Sequence, residues 1–225
     1  MVAKVLEVEK GKKRPWNQIP WRRSLTKAIE EANASGKPLF VFFFVQQPGP
    51  PVERCGLEGR LMRTHALGDA KVASVIKSRF VPVKIPIQAG KDFPVDWPAL
   101  KKWATAYKFS NARGFTGCSV VSPDLEIEYA NSGSAKLAEM LESPAFSAEQ
   151  VYAMLGRAVS RVTEERSLRV QRGVSAEERQ IEISRFRKGV SRAVQSESRT
   201  RLPPRGYSLE QALELYRMAG TLPEK

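Results

Sequence analysis

Residues 38–45 read PLFVFFFV, directly after Gly36 and Lys37 and directly before the turn-rich stretch QQPGPPV. The run has the length of a strand and is rich in Phe and Val, with no polar residue alternating along it. A strand with one wet face alternates; a strand without alternation is buried on both faces, which requires helices on either side of its sheet. The expected class is therefore α/β, with this segment as a central strand.

The neighbouring segments fit that frame. Upstream, Leu25, Ala28, Ile29 and Ala32 repeat at helical spacing, and Gly36 followed by Pro38 stops the helix. Downstream, residues 56–65 suit a short helix. Asp69 suits the N-cap of another, with Val72, Val75 and Ile76 on one face. FVPVKIPI, at residues 80–87, is a second strand, and Pro82 within it favours an edge or a bulge. Asp96 and Pro98 open a helix that turns Leu100, Trp103, Ala104 and Tyr107 inward. GCSVVSPDLEIEYAN then reads as strand, turn at Pro123 and Asp124, and strand; a helical stretch follows at residues 134–142.

The last third is helical and built differently. Ser147 with Gln150, Ser175 with Glu178 and Ser208 with Gln211 each have capping-box spacing. The stripe Val151, Leu155, Ala158, Val162 fades after residue 162, so only the early part of that helix is expected to dock. A further helix over 175–198 carries Ile183, Phe186, Val190 and Val194 on one side. The expected division is a basic N-terminal arm over 1–23, a domain over 24–160 and a basic helical C-terminal extension over 161–225. Trp16 and Trp21 are read as pins that hold the arm to the domain, since an aromatic is first of all buried area.

Charge follows the same division. The chain of 225 residues has a formal net charge of +13. Residues 1–23 hold seven basic and two acidic side chains, residues 24–149 fifteen and thirteen, and residues 150–225 fifteen and nine. A nearly neutral middle with basic ends points either to plain solvation of exposed arms or to an acidic partner, RNA, DNA or an acidic protein surface. No apolar run approaches the length of a membrane span, and the N-terminus, with Glu7 and Glu9, has no apolar signal core. Two cysteines, Cys55 and Cys118, and one histidine, His65, make neither a disulfide scaffold nor a metal site. No cofactor is implied, and a reducing cytoplasm is the expected compartment.

The segments LTKAIEEANASGKPLFVFF, the Cys55 loop and helix, DAKVASVIKSRFVPVKI and GCSVVSPDLEI together resemble the thioredoxin-like superfamily over roughly residues 21–160. The resemblance implies a three-layer sandwich with a mixed central sheet, and a site in the loop after the first strand. Such a site has Cys-x-x-Cys at a helix N-terminus, where free amides and the helix dipole stabilise the first thiolate and the second Cys resolves the mixed disulfide. Here the corresponding register is Cys55-Gly56-Leu57-Glu58. A carboxylate resolves no disulfide, and Glu58 competes with a thiolate for the same dipole. The cis-proline that the resemblance places opposite the cysteines falls at Thr116.

Cys55 and Cys118 are thus the candidate catalytic residues, and Glu58 and Thr116 the degenerate positions of a binding site. The favoured reading is a thioredoxin-fold protein without a dithiol site, a non-catalytic binding or assembly module with a protein partner. Two alternatives stay open. One is a monothiol redox protein using Cys55; the other is a nucleic-acid-associated protein binding through its basic terminal extensions.

Overall fold

A computed structural model describes residues 15–46, 57–88, 91–109, 115–133 and 147–172, together with residues 181 and 184. The elements in order are α1 (Pro15–Gln18), α2 (Leu25–Ser35), β1 (Leu39–Gln46), α3 (Leu57–Thr64), α4 (Ala70–Arg79), β2 (Val81–Gln88), a 3₁₀ turn (Pro98–Leu100), α5 (Lys101–Phe109), β3 (Thr116–Val121), β4 (Glu128–Asn131) and α6 (Ala148–Arg172). The helix expected at 134–142, the capping boxes at Ser175 and Ser208 and the stripe Ile183, Phe186, Val190 and Val194 lie outside the described residues.

The four strands form one mixed sheet in the order β2-β1-β3-β4. β1 runs parallel to β2 and antiparallel to β3, and β3 and β4 form the antiparallel hairpin. The PLFVFFFV segment is therefore an inner strand, as its unbroken apolar run requires, and Leu39 to Phe43 are wholly inaccessible to solvent. Alternation along β1 divides the core in two. Phe40, Phe42 and Phe44 face α1, α3, α4 and α6 through Trp16, Leu61, Met62, Val72, Ile76 and Leu155. Leu39, Val41 and Phe43 face α2, the 3₁₀ turn and α5 through Ile29, Leu100, Trp103 and Tyr107. Helices cover both faces of the sheet, and the class is α/β.

Local chemistry sets the ends of the elements. Ser24 caps α2 by accepting from the Lys27 amide at 3.2 Å. Gly36 closes the helix at φ +67°, the left-handed conformation that a residue without Cβ adopts at little cost. Asp69 caps α4 and accepts from the amides of Lys71 and Val72. Pro98 sits in the first turn of its helix as expected, but the cap position is Trp97 and not Asp96, so the turn starts without a side-chain cap.

Pro82 marks β2 as an outer strand, and β2 is one. Lys84 donates its amide to the Arg22 carbonyl, and the Arg22 amide donates to the Pro82 carbonyl, so the even-numbered residues of β2 point away from β1. Pro82 and Pro86 fall in that phase, where a missing N–H breaks no ladder bond with β1. Arg22 in turn forks onto Glu31 of α2. Trp16 and Trp21 pack with their rings tilted at 37° and 4.6 Å between centroids, and Trp16 meets Phe42 edge-on at 5.3 Å. Residues 15–22 are thus part of the packed domain.

α6 opens with Ser147 accepting from the Gln150 amide at 3.1 Å. Val151, Met154, Leu155 and Ala158 are buried, Val162 is half-buried and Leu168 is exposed, so the packing stripe runs out where the sequence indicated. The helix itself passes residue 160 without a break and continues to Arg172.

Candidate functional site

Cys55 lies outside the described residues, so the structure neither joins it to Cys118 and Thr116 nor separates it from them. Leu57 starts α3, which places Glu58 in the first turn of that helix, the position the resemblance gave it.

Thr116 is the first residue of β3, opposite Phe44 of β1. It is completely buried, and its hydroxyl donates to the Phe43 carbonyl at 2.7 Å. That bond fastens the start of β3 to the inner strand and occupies the side chain's only proton.

Cys118 sits opposite Phe42 in the interior of the sheet, with no accessible surface. Gln46, the end of β1 from which the Cys55 loop departs, lies four positions beyond Phe42; at about 3.3 Å per residue that is roughly 13 Å of strand. Burial pushes the Cys118 thiol up to about 12, against a smaller opposing pull from the Ser132 hydroxyl. Removed from water, the sulfur does not ionise near neutral pH, and a thiol that stays protonated is neither a nucleophile nor a leaving group for disulfide exchange. Cys118 therefore behaves as a small apolar core residue.

His65 is exposed at the end of α3, its Nδ1 3.0 Å from the Thr64 hydroxyl and 3.2 Å from the Leu61 carbonyl. Among the described residues no group of His, Cys, Asp and Glu is arranged to hold a metal ion, and no helix is long and apolar enough to cross a membrane.

Two features were not foreseen in the sequence. The first is a polar junction around Glu128. Its Oε1 accepts from the Trp103 indole at 2.7 Å and from the buried Ser119 hydroxyl at 2.6 Å, and its Oε2 accepts from the Asn131 amide at 2.9 Å. The signal available was Ser119, a lone hydroxyl inside the apolar run GCSVV that needs a buried acceptor. The second is a groove of about 310 Å³ between the end of α2, the β3–β4 turn and the second half of α6. Its walls include Asn33, Pro38, Asp124, Tyr129, Glu165 and Arg166. Pro38 precedes β1, so the groove lies at the end of the sheet opposite to the one from which the Cys55 loop departs.

No protein-family model matches the chain, and no match is found among curated proteins.

Proposed function

We propose that the chain is a thioredoxin-like domain without a dithiol site, which serves as a non-catalytic module for binding or assembly. The observation that carries this reading is the position of Cys118. The chain has two cysteines, and dithiol exchange at Cys55 needs the other one as its partner. That partner is enclosed in the sheet with its thiol held protonated, and the position three residues after Cys55 is Glu58. Thr116 stands where the resemblance would put a proline, its hydroxyl already used on the Phe43 carbonyl.

The parallel β1–β2 pair with helices between its strands, followed by a hairpin and a closing helix, supports the superfamily assignment. The basic ends give the module charge with which to meet an acidic partner.

The test is a thiol inventory of the native protein. One cysteine is expected to react with Ellman's reagent without denaturant and the second only after unfolding. A glutathione redox buffer is expected to give no intramolecular disulfide by mass spectrometry, and insulin reduction is expected to match that of Cys55→Ser. A reversible Cys55–Cys118 disulfide, or insulin reduction that depends on Cys55, would overturn the reading. The glutathione arm also addresses the monothiol alternative: a stable mixed disulfide on Cys55 alone favours it.

A further inference from the structure

We propose that the groove between the end of α2, the β3–β4 turn and α6 binds a small zwitterion of the amino-acid class, with its carboxylate on Arg166 and its ammonium group on Asp124.

The space of about 310 Å³ lies at the lower end of the range for small-molecule sites, about 300–1,000 Å³, which suits a ligand of amino-acid size. Several polar groups of its walls are bound within the protein. The Asn33 amide donates to the Ile29 carbonyl at 2.9 Å, the Ser122 hydroxyl donates to Asp124 Oδ1, and the Tyr129 hydroxyl donates to Glu165 at 2.6 Å. Two charged groups keep capacity for a ligand. Arg166 makes no hydrogen bond or ion pair with another described residue, and a terminal nitrogen of its guanidinium lies 3.4 Å from where a Cβ on Gly36 would sit. The carbonyl end of α2 favours a cation at that place without using its donors. Asp124 gathers the Ser122 hydroxyl and the Glu126 amide on Oδ1 alone, so Oδ2 has no partner among the described residues.

The charges select the ligand. Asp124, Glu165 and Arg166 give the lining two carboxylates and one guanidinium. A phosphate dianion would meet one cation and face two like charges. A simple amine would leave the guanidinium unused. A zwitterion answers both groups: its carboxylate matches the planar fork of Arg166, and its ammonium donates to the open oxygen of Asp124. Ala32, Pro38 and Val162 add apolar surface, which suits an aliphatic side chain. The groove lies at the end of the sheet away from the Cys55 loop, so ligand binding and thiol chemistry are tested separately.

The experiment is an amide NMR titration of the full chain with L-leucine, with isocaproate, which lacks the ammonium group, and with isoamylamine, which lacks the carboxylate. Leucine is expected to give saturable shifts confined to residues around Gly36, Asp124 and Arg166. Each analogue should bind about tenfold or more weakly, since each loses a hydrogen bond between charged groups. Arg166→Ala, at an exposed helix position, should bind leucine no better than isoamylamine. Asp124→Asn keeps an acceptor for Ser122 and Glu126 and should bind leucine no better than isocaproate. The absence of saturable shifts with leucine would refute the proposal. So would an analogue that binds as tightly as leucine, a variant that binds leucine as the parent does, or displacement of leucine by inorganic phosphate.

Discussion

Gly117 lies directly beneath the indole of Trp103. A Cβ built on Gly117 would fall inside the van der Waals radius of the ring, 2.7 Å from Cζ3, and 2.8 Å from the Gly133 carbonyl oxygen. The ring cannot retreat easily, because its N–H is tied to Glu128 and it also packs on Phe43, the cross-strand neighbour of Gly117, at 5.0 Å between centroids. Gly117→Ala is therefore expected to destabilise the domain by about 1–3 kcal/mol, the usual cost of overpacking a filled core. The urea midpoint should fall with an unchanged m-value. A variant as stable as the parent would mean that α5 moves off the sheet freely.

Glu128 joins α5 to the hairpin through a carboxylate that takes three donors. Removing it leaves the Trp103 N–H without its acceptor and leaves the Ser119 hydroxyl, which has no access to water, only the Ala130 carbonyl at 3.3 Å. Glu128→Ala is expected to cost about 2–3 kcal/mol, since a buried donor left without an acceptor loses more than the bond itself contributed. Glu128→Gln keeps an acceptor oxygen and should cost clearly less. Equal losses for the two variants in chemical denaturation would assign the effect to packing and not to hydrogen bonding.

Much of the fold was legible because it rests on short-range rules. The run 38–45 declared an inner strand by its lack of alternation, Pro82 pointed to an edge or a bulge, and Gly36, Asp69 and Ser147 declared helix ends by cap chemistry that acts within four residues. What stayed hidden is long-range. Arg22 completing the edge of β2, Glu128 collecting donors from α5 and β3, and Arg161 reaching Tyr129 across 32 residues of sequence have no local periodicity to announce them. The candidate site was legible at Thr116 and Cys118 as positions on a strand, but not in their roles. An isolated Thr or Cys in a sequence gives no indication whether its polar atom meets solvent or a neighbouring carbonyl.

Trp16 makes the N-terminal segment part of the core. Its ring contacts Trp21 and Phe42, and the Arg63 guanidinium lies 5.5 Å from its centroid. Trp16→Ala is expected to destabilise the domain by about 3–5 kcal/mol, the range for truncating a buried Trp. The loss should be visible in near-UV circular dichroism as well as in the thermal midpoint. If residues 15–23 were merely an appendage, the midpoint would stay within the small range of surface substitutions, about 0.5 kcal/mol.

Alkaline pH probes the burial of Cys118. Its thiol rises from an ordinary 9.0 to about 12 on folding, because the sheet excludes the water that a thiolate needs. Below pH 9 the folded and unfolded chains both hold the proton, and the group leaves stability unchanged with pH. Between 9 and 12 the unfolded chain releases the proton while the folded chain retains it, so stability falls as pH rises. Tyr107, raised by its own burial and by the nearby Asp92 carboxylate, adds a loss of the same sign above its ordinary 10.0. Comparison with Cys118→Ala separates the two. The variant should start lower at pH 7, having lost buried volume, and then decline less steeply between pH 9 and 10.5 in urea titrations. Parallel slopes for parent and variant would show that the thiol ionises alike in both states. Cys118 would then be open to solvent, and the case against its partnership with Cys55 would fail with it.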